Sequence, residues 1–390
     1  MSDIARLEIH SLAYGARGVS RTGGKVCFVK GALPGEEVLA RVTKETSNYS
    51  EAVALDVVKS SPDRIVPVCP YFGSCGGCQL QHLSYSKELY YKNEQVKELF
   101  KRIAGIELGK EFEDIAASDR EYGYRSSLTL HKGKNGYGYY EEASHRVVEI
   151  EKCPVAVPVM GNDIVSLTRG EDRDEITLKA DSNGKVWSSC RMGDRFFPDR
   201  YRGKDIYFSP KAFSQCNRYV SEKMAETLET WVSPRSEGAA FFDIYCGSGF
   251  FSFTVGGSFA FRIGVDENRV SIDCAKNTAK TQGIKNIKFY RQDAEKDIFE
   301  LFAREKRRRN IFLLDPPRKG VKRDFLEKLR DNPDIGLLYY ISCDPARMAR
   351  DAKIFTTGGK WKLNRIKPFD MFPRTGHVEV LGEFTKAAEN

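Results

Sequence analysis

The chain has 390 residues, of which 41% are hydrophobic and 30% are charged, which is the composition of an ordinary folded protein rather than a disordered one. It contains no run of about 18 or more uncharged apolar residues and no signal-peptide core, so we expect neither a membrane protein nor an exported one. The formal net charge of +8 suits a polyanionic partner, and in a cytoplasmic protein the ten cysteines would be thiols, metal ligands or catalysts before disulfides.

Residues 1–60 predict a small closed β-barrel, of a kind that often binds oligonucleotides. Apolar and polar residues alternate in several short segments, and "RTGGK" and "ALPGEE" supply turn residues between them. The stretch "SSPDR" then has the composition of a linker. We therefore predict that the first domain ends near residue 60.

Residues 61–204 predict a central domain with one clear helix and several strands. The helix covers residues 84–105, where apolar residues recur at helical spacing and Gly105 is a suitable C-cap. The strands that follow carry Tyr137, Tyr139 and Tyr140, which could stack on nucleic-acid bases. Packing within a sheet is the more frequent use of a strand tyrosine.

Residues 205–390 change to a regular alternation of short apolar runs and helix-length segments. That alternation predicts an α/β domain with an open, mostly parallel sheet and helices on both faces. The ending "KPFDMFPRTGHVEVLGEF" predicts two further strands that form an antiparallel closing hairpin.

The segment "DIYCGSGFF" (243–251) predicts a cofactor loop where the first strand of this domain turns into a helix. Gly247 and Gly249 let the backbone approach a ligand closely, and Asp266 ends the next strand, where a carboxylate can accept hydrogen bonds from ribose hydroxyls. Position 252 is Ser, so the third glycine of the dinucleotide fingerprint is absent. S-adenosylmethionine therefore fits better than NAD or FAD.

Two later strands carry reactive groups to the same edge. "LLDPPRKG" places Asp315 after one buried strand, and "YYISCDPARMARD" places Cys343 after the next. Asp344 and Pro345 suit the start of a helix, whose dipole would favour a thiolate. A lone cysteine is more often a small buried apolar residue, so its position alone does not make Cys343 a nucleophile.

Five motifs together resemble one family, the RNA uracil-C5 methyltransferases. "FSQCN" (213–217), "DIYCGSG", "LLDPPRKG", "ISCDPARMARD" and "DMFPRTGHVE" (370–379) occur in the order and spacing of that family, and the N-terminal barrel is similar to its TRAM domain. The resemblance implies a Rossmann-like, S-adenosylmethionine-dependent methyltransferase domain. It implies that Cys343 adds to C6 of a uracil and that Glu379 is the general base, whereas the strand pattern alone predicts an exposed Glu379.

The resemblance also implies cofactor contacts and shows departures from the family pattern. Gln215, Tyr245, Asp266 and Asp315 match cofactor-binding positions of the family, and His377 would either orient Glu379 or have a structural role. Three positions depart from the commoner family residues: Phe250 and Asp344 stand where Asn is common, and Asp266 where Glu is common. None of these departures removes a reacting group.

Three cysteines follow the barrel in "VCPYFGSCGGCQLQH", spaced C-x5-C-x2-C, and glycines between them would let the backbone wrap a metal group. A fourth lies far downstream in "EIEKCPV". The spacing differs from the C-x3-C-x2-C run of radical S-adenosylmethionine enzymes. The positions resemble those of family members with a [4Fe–4S] cluster, which implies as ligands Cys69, Cys75, Cys78 and Cys153.

The sequence thus predicts a cytoplasmic, monomeric enzyme that uses S-adenosylmethionine to methylate C5 of a uridine in RNA. Barrel and cluster together favour 23S rRNA as the substrate, and the tRNA T-loop is the alternative. A non-catalytic RNA-binding module is a third hypothesis, which the presence of both Cys343 and Glu379 disfavours. An iron–sulfur redox protein is a fourth, and no flavin motif or second redox centre supports it.

Overall fold

The structure, a computed structural model, describes residues 4–192 and 195–387. Residues 1–3, 193–194 and 388–390, which the predicted domains include, lie outside the described residues. Among the helices within the two described ranges, none combines the length and the apolar character that spanning a bilayer requires. The two boundaries between the three predicted domains stay a prediction.

The N-terminal strands form one sheet with a core of its own. They are β1 (Ile4–Glu8), β2 (Ser11–Ala13), β3 (Arg17–Thr22), β4 (Lys25–Lys30), β5 (Glu37–Glu45) and β6 (Tyr49–Lys59). Their order is β1-β5-β6-β4-β3-β2, with β4 and β6 parallel and the other neighbours antiparallel. Leu7, Val29 and Val38 are buried while the residues beside them in each strand are half-buried or exposed, which is the period of two that a one-sided sheet requires.

The helix predicted over residues 84–105 is confirmed. It consists of α1 (Tyr85–Leu99) and a π-helix (Phe100–Ala104), and Gly105 ends it in the left-handed region at φ 71°. Val96 and Phe100 are fully buried in the core under the C-terminal sheet. This helix therefore packs on the C-terminal part of the chain, although it precedes the central strands.

A second sheet follows the helix. Its strands and the short helices and hairpin around it are β7 (Ser127–Lys132), β8 (Tyr137–Tyr140), β9 (Val147–Glu149), α2 (Pro158–Gly161), α3 (Ile164–Thr168), β10 (Glu175–Ala180), β11 (Val186–Ser188), α4 (Ser189–Met192), β12 (Phe197–Tyr201) and β13 (Lys204–Phe208). The sheet order is β11-β10-β7-β8-β9, antiparallel throughout, while β12 pairs with β13. Leu128, Leu130 and Ile176 centre its core.

The C-terminal sheet confirms the predicted strand–helix alternation. Its elements are α5 (Arg218–Val232), β14 (Ala240–Ile244), α6 (Phe250–Thr254), β15 (Phe261–Asp266), α7 (Arg269–Thr281), β16 (Ile287–Arg291), α8 (Ala294–Glu305), β17 (Asn310–Leu314), α9 (Arg323–Asp331), β18 (Leu337–Ser342), α10 (Pro345–Thr356), β19 (Trp361–Phe369) and β20 (Glu379–Lys386). Strand order is β16-β15-β14-β17-β18-β20-β19. Every residue of β14, β17 and β18 is buried, as parallel strands covered by helices on both faces require.

The predicted closing hairpin is also confirmed. β19 and β20 are antiparallel, and β20 is inserted between β18 and β19. Because β20 runs against β18, its first residue lies at the edge where the parallel strands end. Glu379 therefore enters the sheet beside the carboxyl end of β18.

Candidate active site

The crevice beyond the carboxyl ends of the parallel strands collects the site residues predicted from the C-terminal motifs. The chain runs from β14 outward to β15 and β16, then returns to β17 on the other side of β14, so the strand order reverses there. Ligands of open α/β sheets bind at such a switch point. The residues at these strand ends are Tyr245, Gly247 and Gly249 after β14, Asp266 at the end of β15, Asp315 after β17 and Cys343 after β18.

The loop after β14 has the backbone that its glycines predict. Tyr245, Gly247 and Gly249 have φ values of 65°, 53° and 81°, in the left-handed region that favours glycine. A Cβ at Gly249 would lie 2.8 Å from the Phe253 ring. The backbone N–H of Gly247 donates to Asp266 Oδ2 at 3.0 Å, which holds the loop beside the carboxylate at the end of β15. The loop therefore places the backbone of Gly247 beside the Asp266 carboxylate, which can accept hydrogen bonds.

Three carboxyl groups at this edge have raised pKa values. Burial raises the pKa of Asp266, and burial together with Glu379 raises the pKa of Asp315 well above its ordinary value. The sequence interpretation missed Asp243, whose pKa burial raises to about 7. Its Oδ2 accepts hydrogen bonds from Ser252, while Oδ1 has no partner among the described residues. A pocket rich in buried carboxyl groups favours a cationic ligand, such as a sulfonium.

Gln215 and Tyr245 are two further residues that the sequence predicts to contact the cofactor. The Tyr245 hydroxyl donates to Glu295 Oε1 at 3.1 Å. Gln215 is buried, and the adjoining Cys216 thiol has its pKa raised to about 11, mainly by burial and further by the charge of Glu379. The segment that contains Gln215 therefore lies next to Glu379.

Cys343 lies between β18 and α10, as predicted. Asp344 is the N-cap of α10 and accepts hydrogen bonds from the N–H groups of Ala346 and Arg347. In the free protein, burial, with Glu379 and Asp315, raises the pKa of the Cys343 thiol to about 11, so any effect of the helix dipole is outweighed. The Tyr14 hydroxyl, in the turn after β2, donates to the Cys343 carbonyl at 3.3 Å, so the N-terminal part of the chain reaches the site.

Glu379 is buried, with 7% of its surface exposed, and the expectation of an exposed strand residue is wrong. Its place between two strands of the sheet explains the difference, because β20 pairs with both β18 and β19. Burial raises its pKa to about 7, against the opposing effect of the Arg318 guanidinium. Oε2 has no hydrogen-bond partner within the described part of the chain. A carboxyl group that titrates near neutral pH is suited to proton transfer.

Arg318 is a further residue that the sequence interpretation did not single out. Its charge lowers the pKa values of both Cys343 and Glu379, so it lies close enough to act on the two groups predicted to react. Its sequence signal is its position three residues after Asp315 in "DPPRKG". The His377 ring packs edge-on against Phe372, with centroids 6.0 Å apart, and its backbone N–H donates to Thr375. The orienting role considered for His377 stays a prediction.

The four predicted cluster ligands are brought together. Cys69, Cys75, Cys78 and Cys153 line one cavity together with Arg125, although Cys153 is far from the others in sequence. The Gly77 N–H donates to the Cys75 sulfur at 3.4 Å. Among residues 4–192 and 195–387, no group of three or more His, Cys, Asp or Glu side chains is arranged to hold a single metal ion. The cavity thus brings four thiols together, but without the geometry of a mononuclear metal site.

Comparison with solved structures first identifies the fold. The crystal structure of Pyrococcus abyssi tRNA (uracil-54, C5)-methyltransferase with S-adenosyl-L-homocysteine superposes with a TM-score of 0.71 at 21% identity, covering 98% of this chain and 100% of that chain. The fold is that of an S-adenosylmethionine-dependent methyltransferase.

Sequence comparison then gives the family. Residues 198–386 match the tRNA (Uracil-5-)-methyltransferase family and residues 4–55 match the TRAM domain. An uncharacterized RNA methyltransferase of Aquifex aeolicus is 32% identical over 96% of this chain and 97% of its own length. The 23S rRNA (uracil(1939)-C(5))-methyltransferase RlmD of Aliivibrio fischeri is 28% identical over 98% and 95%. The chain belongs to the RNA (uracil-5-)-methyltransferase family, and it is an S-adenosylmethionine-dependent enzyme that methylates uracil C5 in RNA.

Proposed function

We propose that Cys343 and Glu379 perform this methylation through a covalent enzyme–RNA intermediate. The Cys343 thiol loses its proton to solvent, and the thiolate adds to uracil C6. C5 of the resulting enolate then takes the methyl group, and S-adenosylhomocysteine is left. Glu379 removes the C5 proton, the C5–C6 double bond re-forms and the thiolate is expelled. The observation that carries this proposal is the pairing of Ser342 with Val380 in β18 and β20, which brings the adjoining residues Cys343 and Glu379 to the same edge of the sheet. The effect of Glu379 on the pKa of Cys343 agrees with this proximity.

The cofactor fits the crevice between β14 and β17. S-adenosylmethionine supplies a methyl group on a cationic sulfur. We place it against Gly247 and Gly249, with Asp266 accepting hydrogen bonds from the ribose hydroxyls. Gln215, Tyr245 and Asp315 complete the proposed cofactor contacts. The unpartnered Asp243 Oδ1 and the raised pKa values of the nearby carboxyl groups support a cationic ligand there.

Replacing Arg318 by Gln is expected to shift the pH dependence of methylation. Arg318 lowers the pKa values of Cys343 and Glu379, so its loss raises both and reduces the thiolate and carboxylate that the proposed reaction needs. Because the guanidinium is exposed, we expect the acidic limb of the rate–pH profile to move up by only about 0.5–1 pH unit.

Single-turnover methylation across pH 6–9 would measure this shift. Arg318→Lys should keep most of the wild-type profile because it keeps the charge, and Lys319→Gln is the matched control for loss of a neighbouring cation. A profile for Arg318→Gln that coincides with that of the control would remove Arg318 from the proposed mechanism.

We further propose that 23S rRNA is the substrate. We propose that the enzyme acts in the cytoplasm and as a monomer. The support is the similarity to enzymes named RlmD over nearly the entire length of both chains. The target uridine must leave the base stack before Cys343 can reach C6, and the TRAM domain and central domain would grip the surrounding RNA. The tRNA T-loop is the second candidate, because the family that residues 198–386 match is described as tRNA (Uracil-5-)-methyltransferase.

Mapping 5-methyluridine in rRNA and tRNA from a strain that lacks this protein distinguishes the two substrates. We expect one 23S rRNA position to lose the modification and to regain it when the gene is restored. Loss confined to the tRNA T-loop would contradict the rRNA proposal.

We propose that Cys69, Cys75, Cys78 and Cys153 hold a [4Fe–4S] cluster. Their shared cavity supplies four sulfur ligands, and the half-buried Arg125 on its wall suits a group of net negative charge. When bound, the cluster would supply a cross-link between distant parts of the central domain. The methyl-transfer steps above do not use it.

Protein purified without oxygen is expected to contain about four iron and four sulfide per chain, since four thiolates complete such a cluster. Cys153→Ser should lose most of this iron, because it removes the ligand that is distant in sequence. Cys190→Ser, which changes a half-buried cysteine outside the cavity, is the control. Wild-type protein without iron and sulfide would exclude the cluster.

A further inference from the structure

The loop between β19 and β20, residues 370–378, leads directly into Glu379, and an earlier part of the chain holds it in place. The backbone N–H groups of Gln79 and Leu80 both donate to the Arg374 carbonyl, at 3.1 and 2.9 Å. The Gly376 N–H donates to Gln79 Oε1 at 3.2 Å. The turn before Glu379 therefore shares three hydrogen bonds with the segment that follows Cys78.

A buried set of charges joins the same loop to α1. Lys92 Nζ lies 2.7 Å from Glu88 Oε1 and 2.6 Å from Asp370 Oδ1, and none of the three side chains is more than 1% exposed. Glu88 Oε1 also accepts the Arg374 N–H at 2.8 Å. Buried ion pairs are costly to desolvate and are weak evidence for stability. A role in fixing one conformation of the loop accounts for them better.

Arg374 is the centre of this arrangement. Its backbone is left-handed, at φ 70°, which is unfavourable for a residue with a side chain. Its buried guanidinium donates to the Leu83 carbonyl at 2.8 Å and pairs with Glu121. The rings of Tyr85 and Tyr122 lie 5.3 and 5.1 Å from it. The loop conformation thus depends on contacts with residues before the central sheet.

We propose that residues 69–80, here called the cysteine segment, act as a clamp on the 370–378 loop, and that Gln79 is a positioning residue for Glu379. Gln79 suits this role because its Nε2 donates to the Gly76 carbonyl at 2.7 Å while its Oε1 holds Gly376. A single side chain thereby links the turn between Cys75 and Cys78 to the loop that carries the general base. The inference rests on the proposed role of Glu379, and it extends that role to the cysteine segment.

Two variants of Gln79 separate this role from a general structural one. Gln79→Leu removes both side-chain hydrogen bonds, whereas Gln79→Glu keeps the acceptor for Gly376 and replaces the donor to Gly76 by a charged oxygen. Hydrogen exchange of the peptide that covers residues 370–379 should become faster in Gln79→Leu and change less in Gln79→Glu. Release of methylated RNA from the covalent intermediate should slow roughly threefold to tenfold in Gln79→Leu, the loss expected for one hydrogen bond. S-adenosylmethionine affinity should not change.

Gln282→Leu, at the end of α7, is the matched control for a glutamine-to-leucine change elsewhere. The clamp is overturned if Gln79→Leu has the loop exchange and the release rate of this control, or if Gln79→Glu loses as much as Gln79→Leu. Hydrogen exchange of residues 370–379 tests the clamp independently of catalysis. A wild-type enzyme that forms no covalent intermediate would therefore refute the proposed mechanism and still leave the clamp to be decided by exchange.

Discussion

Cys343→Ala is expected to reduce 5-methyluridine formation by about 10⁴-fold or more, because it removes the atom that activates C5. In the proposed mechanism, Cys343 is the residue that adds to C6, and no other described residue has that role. The variant should still bind S-adenosylmethionine with wild-type affinity, since Asp266 and the loop after β14 stay intact. The measurements are methyl transfer from labelled cofactor to an RNA fragment and cofactor binding by calorimetry.

Cofactor binding serves as the control for folding in this experiment, and Cys190→Ala is the matched control for loss of a cysteine. Cys190 lies at the start of α4, away from the crevice. If Cys343→Ala retained a rate within tenfold of wild type, the nucleophile assignment would be wrong.

Glu379→Gln is expected to stop the reaction after methyl transfer. The amide cannot accept the C5 proton, so release of the RNA should slow by about 10²–10⁴-fold, the usual contribution of a general base. Methylated RNA should therefore remain attached to the protein and appear as a band of low mobility under denaturing conditions. Cys343→Ala should form no such band.

Glu383→Gln is the matched control, because Glu383 is buried on the same strand but pairs with Arg235 and Tyr339. It should release RNA at the wild-type rate. In the wild type, release should become faster as pH rises through about 7, because the pKa of Glu379 is raised to about 7 and only its ionised form accepts a proton. Release that is independent of pH between 6 and 8, together with rapid turnover by Glu379→Gln, would assign the base elsewhere.

The sequence predicts the parts of this site that depend on a local residue pattern. Asp266, Asp315 and Cys343 each come directly after a short apolar run, and parallel strands bring such positions to one edge. The glycines after β14 predict a left-handed loop by the same local argument. The helix over residues 84–105 was predictable because its apolar spacing and its terminal Gly105 agree.

The parts that were missed depend on which distant segments meet. Glu379 is buried because β20 is inserted between β18 and β19, and nothing in the pattern of its own strand indicates that insertion. The pKa of Cys343 is raised because burial and Glu379 outweigh the helix dipole, whose effect is about 1 kcal/mol or less at most exposed sites. Lys92 and Asp370 are separated by 278 residues, so their contact has no local signal.

The covalent mechanism is tested most directly with RNA that carries 5-fluorouridine at the target position. Fluorine at C5 cannot be removed as a proton, so the methylated intermediate should persist on the wild-type enzyme. Mass spectrometry of the digested complex should find RNA plus one methyl group attached to the peptide that contains Cys343. Attachment to a different residue, or no attachment while the unmodified RNA is methylated normally, would contradict the mechanism.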